Sequence, residues 1–308
     1  MDVLVTGASG FLGRNFLPSA SRDWQIVALY NQDASFPEYL AAIGKSDLVS
    51  RKCDLADEKA VALLAEDLGR SFDVCVFLAA NSDPVKSVED PRYDWVTNVG
   101  TLVNVLNTFH FDRFLFLSSG AVYDEHEGYV SPEIRLAPRL PYAISKLACE
   151  HYVRSYHKKG TLQNYLILRF FGAYGPYEPS RKIYTRLVRT FYINKEKEFT
   201  VRGDGRNLID AMYVSDAIDA LTKAVLTDTT NLTLDLCHGS PMSLDEVVLC
   251  AARTFGMQDI KINHVGDAAE YIKFRALPEK ARRILNTYPK VSLEDGLTRL
   301  ACFLSSRH

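Results

Sequence analysis

The chain has 308 residues, 47% of them hydrophobic, enough for a well-buried core in one large domain carrying a smaller lobe. A formal net charge of -2 gives no electrostatic case for nucleic acid or an anionic membrane surface as partner. No apolar run approaches the ~18 residues of a membrane helix, and the six scattered cysteines form neither a CxxC pair nor a metal-ligand spacing with His. With Met1-Asp2-Val3-Leu4-Val5 read as a strand rather than a signal peptide, the expectation is a cytoplasmic protein with no metal site and with cysteines that are mostly core residues.

The first strand, predicted over 3–6, runs into Gly7-Ala8-Ser9-Gly10-Phe11-Leu12-Gly13. This GxxGxxG spacing, set between a strand and a helix over 11–20, is a relative of the dinucleotide fingerprint. The backbone there must turn sharply and approach a pyrophosphate with no Cβ in the way. The opening of the helix offers unpaired N–H groups and a positive dipole end to the phosphates. Gly7, Gly10, Phe11, Leu12 and Gly13 are therefore expected to line the cofactor. The second strand, 25–30, should end in an acid that grips the adenosine ribose. Tyr30-Asn31-Gln32 stands there instead, with Asp33 near enough to substitute. Asn31 is the expected ribose neighbour, and the choice between NAD and NADP stays open. Asp54 and Leu55 follow a short apolar stretch and are expected to bracket the adenine.

Helices over 59–68, 93–107 and 142–158 and strands over 74–79, 113–118 and 164–170 continue the βαβ rhythm of a parallel sheet. The strands are apolar without clean alternation, as expected when helices cover both faces. After Phe170 the rhythm breaks: a loop over 172–181, a helix to about 194 and a short strand near 199–202. The chain then returns to the sheet over 210–225 and 232–236, followed by a helix over 243–254 and a small helical unit in the last thirty or so residues. The expected fold is α/β, a doubly wound Rossmann parallel sheet with a smaller α/β C-terminal substrate lobe. The first comprises 1–171 plus 208–237, the second 172–207 plus 238–308, with the ligand in the cleft between them.

Tyr142-Ala143-Ile144-Ser145-Lys146 is YxxxK at the start of a predicted helix, where residues four apart share one face. A free tyrosine, with a pKa near ~10, exchanges protons poorly at neutral pH; a fixed cation beside it favours the phenolate and makes it a usable acid or base. Lys146 can also hydrogen-bond the nicotinamide ribose. Ser119, at the C-terminal end of a strand, is placed to bind a substrate carbonyl or alkoxide oxygen. His110, His151, His157 and His238 form no base-and-nucleophile arrangement and read as structural or surface residues.

Together with Phe77-Leu78-Ala79-Ala80, Asn98-Val99-Gly100-Thr101, Ser118-Ser119-Gly120-Ala121-Val122-Tyr123, Leu168-Arg169, Tyr174-Gly175-Pro176, Gly203-Asp204-Gly205 and Tyr213-Val214-Ser215-Asp216, these motifs make the chain resemble the extended short-chain dehydrogenases, the NAD-dependent epimerase/dehydratase family. The resemblance covers nearly the whole length. It implies a catalytic triad of Ser119, Tyr142 and Lys146, with Ala79 and Ala80 passing under the cofactor and Phe170 and Phe171 near the nicotinamide. It also implies a nucleotide-sugar substrate and a homodimer built on the helices over 93–107 and 142–158.

Family dehydratases carry an Asp-Glu pair after the active-site hydroxyl, where this chain has Gly120-Ala121. By that resemblance the leading expectation is NAD(P)-dependent C4 epimerisation of a nucleotide sugar. The alternatives are an NADPH-dependent reductase of a keto-sugar or other carbonyl compound, and a non-catalytic dinucleotide sensor. Gly172, Ile209 and His264-Val265 stand where the epimerases place an Asn and two Arg that grip the substrate diphosphate. Arg181 and Arg202, with Gly120 and Phe171, are the expected substrate contacts, and Lys182, Arg186 and Arg206 are further cations for a rearranged clamp.

Overall fold

The computed structural model describes residues 1–45, 48–267 and 272–306. Seven parallel strands form the central sheet: β1 (Asp2–Thr6), β2 (Gln25–Tyr30), β3 (Val49–Lys52), β4 (Ser71–Phe77), β5 (His110–Ser119), β6 (Asn164–Phe170) and β7 (Leu232–Leu236), in the spatial order β7-β6-β5-β4-β1-β2-β3. The order reverses between β1 and β4, the switch point at which doubly wound sheets bind ligands. Alternate residues of each strand feed two separate cores. Val3, Val5, Val74, Val76, Leu166 and Leu168 pack on one face, and Leu4, Cys75, Phe77, Phe114, Phe116 and Ile167 on the other. Burial on both sides is why the sequence shows apolar runs in place of alternation.

The first core is covered by α1 (Phe11–Ser19) and by a helix over Val214–Leu226; the second by α2 (Glu58–Leu68), α3 (Thr101–Thr108) and α4 (Pro141–Lys158). The segment expected over 210–225 as a return to the sheet is therefore mostly helix. Val214, Ala217, Ile218, Leu221, Ala224 and Val225 are among its buried residues, at the spacing of one helical face. The single helix expected over 93–107 is three consecutive pieces, Pro91–Trp95, a wider π turn over Val96–Gly100, and α3. Edge strand β3, Val-Ser-Arg-Lys, was not foreseen because it has almost no apolar signal.

The smaller lobe is stitched from distant segments. Lys261–Val265 pairs in parallel with Glu198–Arg202, and Lys273–Ala276 pairs in parallel with Glu127–Val130. The last expected helical unit is present as Glu279–Leu285 and Leu293–Ser305, while residues 307–308 at its end lie outside the described residues. Among the described residues, no helix is long and apolar enough to cross a membrane.

Candidate active site

The glycine loop closes the end of β1 against the end of β4. Gly7 has φ +66°, and a Cβ there would lie 2.8 Å from the Ala79 nitrogen. Gly13 is buried, and a Cβ on it would come within 2.4 Å of the Ala8 carbonyl oxygen, so α1 packs on the loop only because the side chain is absent. Gly10 caps α1 in an extended conformation with no side-chain cap and no acid in the first turn. The helix start is thus open to an anion. On the facing side, the Thr6 hydroxyl oxygen accepts from the Leu78 and Ala79 N–H groups, each at 3.1 Å, and fixes the turn that leads to Ala79 and Ala80. This cradle at the switch point fits a dinucleotide pyrophosphate.

Phe11 and Leu12 are half-buried in α1. Asn31 is exposed just beyond β2. Asp54 accepts from the Ala56 N–H at 3.0 Å and so organises its own turn, while the Leu55 side chain is packed into the second core. Asp33, beyond β2, pairs with Arg14 of α1.

At the other end of the cleft, Pro141 at the first position of α4 starts the helix that carries Tyr142 and Lys146 on one face. The Tyr142 backbone N–H donates to the Ser87 hydroxyl at 3.2 Å, anchoring that first turn. Lys146 is 5% exposed; its Nζ donates to the Leu117 carbonyl at 2.9 Å and lies 5.1 Å from the centre of the Phe116 ring. Burial pushes its pKa down, with Cys149, Asp94 and Glu150 acting the other way. Ser119 ends β5, and its hydroxyl oxygen accepts from the Ala121 N–H at 3.1 Å. Phe170 ends β6 beside β5, in register with Ser119, and Phe171 follows it. The Phe171 ring lies against Gly120, where a Cβ would be 3.0 Å from the ring. The fold thus brings the ends of β5 and β6 and the first turns of α4 to one end of the cleft.

The cationic residues are more dispersed. Arg181 pairs with Asp83 at 3.3 Å, and Lys182 donates to the Ser82 carbonyl at 3.3 Å, so this loop ties the lobe to the turn after β4. Arg186 donates to the Thr200 carbonyl. Arg202 and Arg206 are exposed near the end of the lobe strand. Gly172 has φ +114°, a backbone that an Asn side chain rarely adopts. His264 is engaged by Asp245 at 3.0 Å.

Two buried networks under the site were not assigned from sequence. In one, the Asn98 amide donates to Asp94 and to the Ser145 hydroxyl, both at 2.9 Å, and its oxygen accepts from the Asn81 N–H at 2.8 Å. The π turn carries Asn98 into this position. In the other, Glu150 accepts a two-pronged pair of bonds from Arg169, at 2.9 and 2.8 Å, and one from the Ser118 hydroxyl at 2.7 Å. Arg169 also donates to the Tyr123 hydroxyl, which donates to Asp235, each at 2.8 Å. Two signals in the sequence pointed here. Glu150 lies four residues beyond Lys146 on the same helix, and Arg169 is a charge inside an apolar strand.

Fold and site define a class: a Rossmann enzyme of the extended short-chain dehydrogenase type, with a Tyr–Lys pair in the first turns of α4. The chain belongs to the NAD dependent epimerase/dehydratase family, whose model matches residues 3–233. It is 29% identical to a low-salt glycan biosynthesis protein of Haloferax volcanii, over 96% of each chain. It is 27% identical to a UDP-glucose 4-epimerase of Mycolicibacterium smegmatis, over 100% of this chain and 99% of the relative. Among solved structures, a UDP-glucuronic acid 4-epimerase of Bacillus cereus, in complex with NAD and a fluorinated UDP-sugar, superposes with a TM-score of 0.89 at 24% identity, over the full length of both chains.

Proposed function

We propose that the chain interconverts C4 epimers of a nucleotide sugar, with Tyr142 as acid and base and NAD as its resident cofactor. The observation that carries this is the wall of the cleft next to Ser119. The family contains both epimerases and dehydratases, and dehydration needs a carboxylate to remove the C5 proton. Here Gly120 is closed off by the Phe171 ring, and Ala121 is buried with Leu140 and Ala143. The chemistry left to the pocket is proton exchange at a single hydroxyl.

When bound, the nicotinamide supplies a place for the hydride to wait and return. The rest falls to the chain. Gly7, Gly10 and Gly13 allow the pyrophosphate to approach the backbone, and the open start of α1 offsets its charge. Lys146, a fixed cation one helical turn from Tyr142, favours the phenolate. Tyr142 takes the C4 hydroxyl proton as the ketone forms and gives it back when the ring has turned its other face. Ser119 holds the same oxygen by a hydrogen bond. Phe170 and Phe171 keep water from that end of the cleft. Arg181 and Arg202, one held at the turn after β4 and the other exposed at a lobe strand end, are the cations assigned to the diphosphate. The reductase alternative drew on Tyr30 at the end of β2 and on the lost diphosphate contacts at Gly172 and Ile209; Asp33 supplies a carboxylate at that end of the site, and the reductase reading is not the better supported of the two.

The same reading includes a homodimer and a cytoplasmic location. Tyr93, Trp95, Val96, Ile144 and Tyr152 are exposed apolar residues on the two helical segments assigned to pairing. All six cysteines are free thiols, five of them buried, in keeping with a reducing compartment.

The test is to incubate the purified protein with a panel of UDP- and dTDP-sugars and follow the anomeric and H4 proton signals by NMR. Interconversion of one C4 pair is the expected outcome. No interconversion across the panel, by protein that holds stoichiometric NAD, would sink the proposal.

A further inference from the structure

Helix α4 is bonded to β5 at two successive points just below the groups assigned to the reaction. Lys146 Nζ donates to the Leu117 carbonyl at 2.9 Å, and one helical turn further on Glu150 accepts from the Ser118 hydroxyl at 2.7 Å. Ser119, the next residue of β5, ends that strand. Tyr142 lies one turn before Lys146 on α4. A single bond would let the helix pivot on the strand, whereas two in sequence fix both its height and its angle.

The Glu150 carboxylate is itself held from several sides. Oε1 accepts from Ser118 and from Arg169 Nε at 2.9 Å; Oε2 accepts from Arg169 Nη2 at 2.8 Å and from Arg154 at 3.0 Å. Four donors thus fill the acceptor sites of one carboxylate. Arg169 belongs to β6, and Arg154 reaches β7 through the Thr233 hydroxyl at 2.8 Å. Burial alone would raise the Glu150 pKa, but Arg169, Ser118 and Arg154 outweigh it and keep the carboxylate below its ordinary range. The same Arg169 donates to the Tyr123 hydroxyl, and the Tyr123 ring lies 6.1 Å from that of Phe171, the wall over Gly120.

Stability does not account for such a set. Replacing a buried ion pair by well-packed apolar side chains is often neutral or stabilising, and the best-attested use of such a pair is to fix register. The elements held in register here are the two that carry the proton chemistry, and a misplacement of about 1 Å there can cost about 10²-fold in rate. We infer that Glu150 is a positioning residue for the reaction: through Ser118 and Arg169 it holds Tyr142 and Lys146 on α4 against Ser119 on β5. Being wholly buried, it acts only through these partners. The inference rests on the epimerase reading above.

The test is Ser118→Ala, which removes the bond to β5 and leaves Glu150 its two arginines. Full-length protein is assayed on the UDP- and dTDP-sugar panel, with bound NAD counted by mass spectrometry and Tm read by calorimetry. Ser292→Ala, which removes the side-chain cap of the helix Leu293–Ser305, is the stability control. Ser118→Ala should lower kcat by at least about tenfold, with KM within about twofold of wild type and NAD still stoichiometric. Ser292→Ala should lower Tm and leave kcat unchanged. If Ser118→Ala does not fold, Ser118→Cys, which keeps the size and weakens the donor, reads the same split between kcat and KM. A smaller loss of kcat, a loss carried by KM, or a loss that Ser292→Ala shares overturns the inference and leaves the epimerase reading standing. A wild type that turns over no sugar of the panel overturns the inference together with the reading beneath it.

Discussion

Replacing Glu150 by Gln removes one negative charge from a place where its partner cannot reach water. Glu150 is 0% exposed and Arg169 2%, and the two share a two-pronged bond under the ends of β5 and β6. Breaking a buried pair by removing one partner costs about 3–5 kcal/mol, because the remaining charge stays desolvated. With an unfolding entropy of about 2.1 cal/mol/K per residue over 308 residues, or about 0.65 kcal/mol/K, Tm should fall by about 5–8 °C. Arg169→Met should cost less. Glu150 would keep Arg154 at 3.0 Å, and it can take up a proton where Arg169 cannot release one. The double variant Glu150→Gln with Arg169→Met removes both charges and should recover at least half of the Glu150→Gln loss. Differential scanning calorimetry of the four proteins at one protein concentration reads all of this. A Tm for Glu150→Gln within about 1 °C of wild type, or a double variant equal to the sum of the two singles, would refute the reasoning.

Tyr142→Phe should lower kcat by about 10²–10⁴-fold while the dinucleotide is still retained, measured by turnover and by mass spectrometry of the released cofactor. Gly7→Ala should weaken NAD binding by about tenfold or more, since its Cβ would meet the Ala79 nitrogen at 2.8 Å and its φ is +66°; titration calorimetry checks it. Burial raises the Asp235 pKa from 3.8 to about 7, so between these values the folded state binds more protons than the unfolded one and stability falls as pH rises. Glu178, raised by burial to about 7, acts in the same direction. Asp235→Asn should therefore make the decline in Tm between pH 4 and 7 visibly shallower without abolishing it, and an unchanged slope would contradict the assignment. Ile144→Glu should shift the protein from dimer to monomer in sedimentation velocity, and a wild type that is already monomeric would remove the proposed interface.

The parts of this molecule legible in its sequence are those where one local constraint dominates. The GxxGxxG loop was readable because β1, loop and α1 are contiguous, and each glycine answers to a contact a few residues or one strand away. Strands β2, β6 and β7 and the helix starting after Ser243 match their expected bounds closely, since β2 and β6 carry apolar runs, β7 a Leu-Thr-Leu-Asp-Leu alternation, and a capping box marks the helix start. The lobe strands Lys261–Val265 and Lys273–Ala276 were missed because their partners lie more than sixty residues away and their outer faces are polar. The Glu150–Arg169 network was hidden because its members come from α4, β5, the turn Gly120–Tyr123, β6 and β7, which only the folded sheet brings together. The displaced carboxylate at Asp33 was visible as a residue; its pairing with Arg14 depends on how α1 lies against the turn after β2.

The stitching of the lobe bears on how the protein is made. β7 closes the sheet edge only after residue 236 exists, yet by then the strand Glu198–Arg202 must already be laid aside for a lobe whose partner strand, Lys261–Val265, has not been made. The strand at Glu127–Val130 waits for Lys273–Ala276, some 140 residues later. A nascent chain therefore carries one unpaired strand from residue 130 to residue 273 and a second from 202 to 261, and neither unit can be completed from the first two-thirds of the sequence. Truncations that stop at the apparent end of the Rossmann sheet should yield aggregating protein rather than a free cofactor-binding domain.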